Sequence, residues 1–241
     1  MTDPTGRLMG QLGLYLKTRA LYSEAEPLMR RALAIGEASF GNEHPKIAIR
    51  LNNLALLLKA TNRLSESEPL MRRALAIDEA SLGSEHPDVA RDLNNLAQLL
   101  DATNRVSEAE PLMRRALAID EASFGSEHPD VAIDLNNLAL LLDATNRVSE
   151  AEPLMRRALA IDEASFGSEH PNVARDLNNL AQLLRATNRL LEAEPLMRRA
   201  VEIKMRSLGP DHPSTQLSQR NLELMLTEMA GPDPTPPPDE A

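Results

Sequence analysis

Between residues 87 and 102 the chain reads PDVARDLNNLAQLLDA, and Leu93, Leu96, Ala97 and Leu100 fall at the three- and four-residue steps that share one face of a helix. Proline at the first position suits a helix start, because the N–H it lacks is one that the first turn leaves unpaired. ATNR follows and offers Asn104 as a left-handed stop. A second apolar stripe runs through Ala109, Leu112, Met113, Ala116 and Leu117 towards Phe124 and Gly125. Ser107 and Glu110, ahead of that stripe, have the S-x-x-E spacing of a capping box. The pattern predicts a helical hairpin. Nothing in the chain alternates apolar and polar residues over a useful length, and no Asn-Gly or Asp-Gly turn occurs, so the expected class is all-α.

The hairpin pattern repeats. His44, His86, His128, His170 and His212 are spaced 42 residues apart, and each is followed by proline. Gly41, Gly83, Gly125, Gly167 and Gly209 keep the same step, as do Pro27, Pro69, Pro111, Pro153 and Pro195. A period of this size marks a solenoid of stacked supersecondary units. Hairpins are expected at about 7–41, 45–83, 87–125, 129–167 and 171–209, with a cap helix near 213–229, making one solenoid domain over 1–230. Residues 231–241, GPDPTPPPDEA, are too rich in proline and acid to pack and are expected to form a disordered tail.

Composition narrows the functional classes. Hydrophobic residues make up 42% of the chain but aromatics only 2%, so Leu, Ala and Met must build the core. A net charge of -10 argues against a nucleic-acid partner, which needs a basic stripe to displace counterions, and against an anionic membrane surface. No segment approaches the ~20 apolar residues of a membrane span. MTDPTGRLMGQLG lacks a basic stretch followed by an apolar run, so no secretory signal is expected and cytoplasmic placement is the default. The absence of cysteine excludes disulfides and thiolate chemistry.

One histidine per repeat does not suggest metal: ligands of one ion sit within about 4 Å of each other, whereas packed helices are about 8–10 Å apart. A turn role beside a helix start is expected instead. Glu26, Glu68, Glu110, Glu152 and Glu194 stand four residues before Arg30, Arg72, Arg114, Arg156 and Arg198, the favourable order for helix ion pairs, which predicts a neutralised outer face. The chain shows no nucleophile, base and orienter set, no glycine-rich phosphate loop and no carboxylate pair isolated from cations. Neither catalysis nor a cofactor is expected.

Leu93-x2-Leu96-Ala97-x2-Leu100 followed by Ala109-x3-Met113-x2-Ala116 has the spacing of the tetratricopeptide pattern, with aliphatics in place of its large aromatics. The period is 42 residues and not the ~34 of that pattern; the addition falls in LAIDEASFGSEHP and would lengthen the second helix by up to two turns, about 12 Å. With EAEPLMRRALAI and a GxxHP turn in each unit, residues 7–229 resemble the tetratricopeptide array of kinesin light chains and their bacterial relatives. The resemblance implies a right-handed superhelix whose concave face, lined by the first helix of each pair, holds an extended peptide segment of a partner. In kinesin light chains, asparagines of this kind contact the main chain of the bound peptide. The resemblance does not extend to a motor function, because the amino-terminal coiled coil of those light chains is not in this sequence, nor is an attached enzymatic or nucleotide-binding module.

LNNLA occurs at 51–55, 93–97, 135–139 and 177–181, although asparagine costs a helix interior about 0.6 kcal/mol relative to alanine. On a wheel of about 100° per residue, Arg91, Asn95, Gln98 and Ala102 lie opposite the core, while Asn94 and Asp101 lie on the flank. The second amide of each pair, Asn53, Asn95, Asn137 and Asn179, with Asn221 in the last helix, is expected to face the groove, where it could donate to and accept from a peptide backbone. The first amide, Asn52, Asn94, Asn136 or Asn178, is expected to bond a neighbouring hairpin; the alternative is that both are structural.

Residues 87–125 and 129–167 differ only at Arg91 against Ile133 and Gln98 against Leu140. Ile49 and Leu56 match the apolar version, Arg175 and Gln182 the polar one. Two accounts stand: pockets of alternating character in which the arginines pair with ligand acids, or passive inheritance from a duplicated 84-residue block. Lys59 and Arg185 against Asp101 and Asp143 make the groove's ends more basic than its middle. Residues 8–16, LMGQLGLYL, are apolar around the helix, so Leu8, Met9, Leu12 and Tyr15 predict either an intramolecular cover or self-association into a homo-oligomer. QLSQRNLELMLTEMA at the other end reads as a solvating cap. The expected function is a non-catalytic adaptor binding a partner's peptide segment; the alternatives are a structural module that assembles through its ends and a sensory domain for a free short peptide.

Overall fold

The computed structural model describes residues 3–230; the tail expected at 231–241 lies outside the described residues. Among the described residues there are eleven α-helices and no strand. Helices α1 (Pro4–Thr18) and α2 (Tyr22–Phe40) make the first hairpin, α3 (Pro45–Ala60) and α4 (Leu64–Leu82) the second, and α5 (Pro87–Ala102) and α6 (Val106–Phe124) the third. Helices α7 (Pro129–Ala144) and α8 (Val148–Phe166), then α9 (Pro171–Ala186) and α10 (Leu190–Leu208), make two more, and α11 (Pro213–Ala230) stands alone.

The chain divides into two compact units, one ending at Ser126 and the other beginning at Glu127. In the first, α2 packs on α3 and α4 on α5, while α1 touches α3 and α3 touches α5. In the second, α8 packs on α9, α10 on α11, and α7 touches α9.

Each odd-numbered helix after α1 begins on its histidine. The Nδ1 atoms of His44, His86, His128, His170 and His212 accept the backbone N–H of Lys46, Asp88, Asp130, Asn172 and Ser214 at 3.1–3.2 Å. The imidazole does the work of an N-cap oxygen, satisfying one of the donors that the first turn orphans. Phe40 packs on His44 with ring centroids 4.9 Å apart, and Phe166 stacks on His170 at 4.5 Å. The end of one hairpin is thereby tied to the start of the next. Between them, Gly83 and its equivalents adopt positive φ, 93° at Gly83, where any other residue would be strained.

The turn inside each hairpin is a left-handed stop. Asn62, Asn104, Asn146 and Asn188 all have φ 60°. The Asn104 N–H donates to the Asp101 carbonyl at 2.8 Å and the Arg105 N–H to the Leu100 carbonyl at 2.9 Å, the paired closure of a Schellman motif. This geometry overturns the capping box expected at Ser107 and Glu110. With α5 closed at Asn104, Arg105 is already the residue before α6 and carries no side-chain cap, so Ser107 lies inside the first turn. The Arg105 guanidinium instead bridges hairpins, donating to Glu108 at 2.7–2.8 Å and to Glu68 at 2.8–2.9 Å. Arg63 joins Glu66 and Glu26 in the same way, and in the second unit Arg189 joins Glu192 and Glu152. The expected helix pairs form too, at 3.0 Å for Glu26–Arg30 and 2.9 Å for Glu68–Arg72.

The core lies between the two helices of each hairpin. Ile47, Ala48 and Leu51 of α3 pack with Ala74 and Ile77 of α4. Val89, Ala90 and Leu93 of α5 pack with Ala116 and Ile119 of α6, and Val173, Ala174 and Leu177 of α9 with Ala200 and Ile203 of α10. Alanine at these positions lets the helices approach closely.

The stop geometry gives a direct test. Asn104→Ala is expected to lower stability by about 1 kcal/mol, since a Cβ without a compensating amide is disfavoured at positive φ. Asn104→Gly should preserve stability or raise it slightly. Urea denaturation followed by circular dichroism measures both.

Candidate functional site

The exposed stripe of each odd-numbered helix carries three residues at i, i+4 and i+7, which one helical face brings into line. In the first unit these are Ile49, Asn53 and Leu56 on α3 and Arg91, Asn95 and Gln98 on α5. In the second they are Ile133, Asn137 and Leu140 on α7 and Arg175, Asn179 and Gln182 on α9. Ile49, Arg91, Ile133, Leu140 and Gln182 are exposed, whereas Leu56, Gln98 and Arg175 are half-buried. On α11 the same register holds Leu217, Asn221 and Leu224, and both leucines are 54% exposed. These two leucines put an apolar pair on a helix that reads in sequence as a polar cap. The 42-residue step from Arg175 and Gln182 leads to them directly.

The two amides of each pair have different surroundings. Asn52 Nδ2 donates to Asp92 of the following hairpin, and Asn136 Nδ2 to Asp176. Asn178 Oδ1 accepts from Ser218 Oγ at 3.2 Å. The first amide is therefore a bridge between hairpins. Of the second amides, Asn53 lines a cavity in the first unit. Asn179 Nδ2 donates to Asn136 Oδ1 at 3.4 Å, a contact inside the scaffold. Asn137 Nδ2 is buried with no hydrogen-bond partner among the described residues, and Asn95 and Asn221 are half-buried.

The cavity measures about 540 Å³ and lies between α1 and α3, closed at one side by Phe40 at the end of α2. Leu14, Phe40 and Ile49 give it apolar walls, Gln11 and Asn53 give it amides, and Arg7, Lys46 and Arg50 give it positive charge. Arg50 is held by Asp3 and donates to the Ala32 carbonyl. Arg7 and Lys46 form no ion pair among the described residues; the Lys46 ammonium sits 4.8 Å from the centre of the Phe40 ring. A concentration of cations here stands out in a chain of net charge -10.

Arg91 and Arg175 do not stand free for a ligand. Arg91 lies 3.8 Å from Asp78 and 3.5 Å from Asp92 and also pairs with Asp88. Arg175 lies 3.2 Å from Asp162 and 2.9 Å from Asp176. Each arginine thus covers two buried aspartates, one from the second helix of a hairpin and one from the first helix of the next. Burial pushes Asp92 up to about 7 against the pull of Arg91, and also raises Asp78. Asp162 and Asp176 are likewise raised, by burial first, against Arg175. The signal in the sequence is the acid at 78, 120 and 162 and at 92, 134 and 176, a period that the apolar pattern hides.

The outermost joints lack such pairs. At the first, Gly36 and Arg50 occupy the two positions, and a Cβ on Gly36 would collide with the Arg50 guanidinium. At the last they are Lys204 and Ser218, with Lys204 Nζ donating to Ser218 Oγ at 2.8 Å.

The family model of the tetratricopeptide repeat matches residues 5–80, 51–122, 105–164 and 147–206. A crystal structure of a Podosopora anserina protein assigned as a kinesin light chain, with nearly identical TPR-like repeats, superposes with a TM-score of 0.70 at 27% identity, covering 86% of this chain and 99% of that one. BtubC (BKLC) from P. vanneervenii superposes with a TM-score of 0.66 at 21% identity over 98% of this chain and 87% of its own, and apo RapI with 0.70 at 17% over 93% and 60%. The last two establish likeness of fold alone. No curated protein matches the sequence.

The division of labour between the amides can be measured. Asn52→Ala removes the amide donor from a buried Asp92 oxygen, leaving it only the long contact to Arg91 at 3.5 Å, and is expected to cost about 1–3 kcal/mol of stability. Asn53→Ala, at the cavity wall, is expected to change stability by less than about 0.5 kcal/mol. Denaturant midpoints at constant m-value report both.

Proposed function

The chain belongs to the tetratricopeptide repeat family, of the kinesin-light-chain-like kind, and from that membership we propose that it is a non-catalytic adaptor holding an extended segment of a partner protein against the exposed face of its odd-numbered helices. The fold is in general a protein–protein interaction module. The observation that carries the reading here is the cavity between α1 and α3. Its apolar walls accept an aliphatic or aromatic side chain, Gln11 and Asn53 can bond a peptide main chain, and Arg7 and Lys46 favour a neighbouring acidic side chain. Side-chain amides that both donate and accept suit a backbone ligand of any sequence, so selection falls to the residues flanking them. Those flanks are Ile49 and Leu56 in the first unit and Ile133, Leu140, Leu217 and Leu224 in the second.

The test is selection from a displayed peptide library on the full chain. Peptides combining an apolar residue with acidic neighbours are expected to be enriched. Arg7→Glu with Lys46→Glu should weaken the selected peptides at least tenfold, and Asn53→Ala with Asn95→Ala, Asn137→Ala and Asn179→Ala should weaken them further without loss of helicity. Peptides that bind both variants as tightly as the parent would overturn the reading.

A second reading, self-association through the first helix, is favoured by a specific observation. Leu8 is 67% and Tyr15 58% exposed, and Leu12 lies between them on the same stripe, with Met9 half-buried beside it. The residues one period on from Leu12 and Tyr15, Leu54 and Leu57, are fully buried. An apolar stripe of this kind on an end helix is a docking face. Sedimentation is expected to show a concentration-dependent dimer that Leu8→Glu with Tyr15→Glu abolishes; a monomer at high micromolar concentration excludes it.

A further inference from the structure

The inner hairpin joints hold polar groups that the adaptor reading does not use. Asp78 on α4 and Asp92 on α5 lie against one guanidinium, that of Arg91, at 3.8 and 3.5 Å, and Asp162 on α8 and Asp176 on α9 lie against that of Arg175 at 3.2 and 2.9 Å. Asp92, Asp162 and Asp176 have no solvent exposure and Asp78 almost none. Two ionised carboxylates are acceptors only, so neither can donate to the other. With both ionised, Asp78 Oδ1 and Asp92 Oδ2 in the first unit, and Asp162 Oδ1 and Asp176 Oδ2 in the second, are buried with no hydrogen-bond partner. One proton per pair supplies the missing donor.

We propose that Asp78–Asp92 and Asp162–Asp176 are proton-holding joints, in which one carboxyl donates to the other across the contact between consecutive hairpins and Arg91 or Arg175 serves as counter-ion. Around the first pair the charged and titratable groups are Arg91 and Asp88 on α5 and His86 at its start, while Asn52 on α3 donates to Asp92. Around the second they are Arg175 on α9, with Asn136 on α7 donating to Asp176. The molecule contains its own contrast, because the outermost joints replace the pair with Gly36 and Arg50 or with Lys204 and Ser218, where no carboxyl is left to share a proton.

Burial holds the proton on Asp92 to about 7, against an ordinary value of 3.8. The folded chain therefore binds it more tightly than the unfolded chain. The stabilisation is complete below the ordinary aspartate range, shrinks as pH rises and is lost above about 7. Within that window the folding constant falls by up to about tenfold per pH unit for each pair.

The experiment compares the full chain with Asp92→Asn plus Asp176→Asn, in which each asparagine keeps an acceptor for Asn52 or Asn136 and carries a permanent donor towards Asp78 or Asp162. Urea denaturation from pH 5 to 9 is expected to show the parent losing stability relative to the variant as pH rises, by at least tenfold in folding constant between pH 6 and 8. A difference that stays constant with pH overturns the proposal. Infrared spectroscopy of the parent alone keeps the test independent of the variant's folding. A protonated buried carboxyl band is expected at pH 6 and should bleach by pH 9; its absence at pH 6 also overturns the proposal.

Discussion

Close contact between the second helix of one hairpin and the first helix of the next governs this molecule. Within the first unit, Leu33 of α2 packs against the cluster of Ala48, Leu51 and Ala74 in the next hairpin, and Leu75 of α4 against that of Ala90, Leu93 and Ala116, where the alanines present only a methyl group. Small residues on both sides draw the helices together, and an interior packed this tightly leaves little room for water. Polar groups caught at such a joint must find partners within the protein. That requirement explains the first asparagine of each pair. Its cost in helix propensity is a few tenths of a kcal/mol, whereas a buried carboxylate oxygen without a donor costs about 1–3 kcal/mol. Asn52 bridging to Asp92 and Asn136 bridging to Asp176 are thus well supported by energetics.

The joint also determines what remains exposed. Helix α5 buries Val89, Ala90, Asp92, Leu93, Asn94, Leu96, Ala97, Leu99 and Leu100, so most of its circumference is consumed by packing on three neighbours. Only the stripe of Arg91, Asn95 and Gln98 faces outward along the middle of the helix. That stripe is all that the middle of this helix offers to the outside, a few residues per repeat. The second helices take the opposite role. Their outer sides are committed to arginine–glutamate ladders such as Arg63 with Glu26 and Glu66, and Arg73 with Glu37 at 2.7 Å. Such half-exposed pairs are individually weak, and their contribution lies in linking hairpins as a network.

Much of the local fold was legible because its signals are short-range. Proline after histidine marks the helix starts, Asn104 marks the stop through its tolerance of positive φ, and three- and four-residue spacing marks the faces. Ser107 misled because the capping-box pattern is local too, and only the length of the Schellman turn shows that the helix has already begun at Val106. The site was harder to read. A wheel drawn for one isolated helix places Asp92 on a flank, and nothing within α5 says that Asp78, fourteen residues earlier, will be buried against it. The cavity at α1 and α3 depends on Gly10 and Gln11 standing where later repeats have paired asparagines, and on Phe40 closing the side. Both features arise between hairpins, where a single-helix pattern carries no information.

The alternation at residues 49, 91, 133, 175 and 217 now has two physical sources. Arg91 and Arg175 occur beside buried aspartate pairs, and Ile49 and Leu217 occur beside joints that have none. Were that correlation complete, the residue at this register would follow from charge balance inside the scaffold and would say nothing of a ligand. At Ile133 the sequence keeps aspartate at both corresponding positions, Asp120 and Asp134, so the residue at this register does not follow from the acids of the sequence alone. A buried pair that keeps a proton carries a single negative charge, which one arginine neutralises. An apolar residue at the same position, as at Ile49 and Ile133, puts an aliphatic surface on the outside. Within each unit, the residue at this register thus bears on both the charge beside the joint and the chemistry of the exposed stripe.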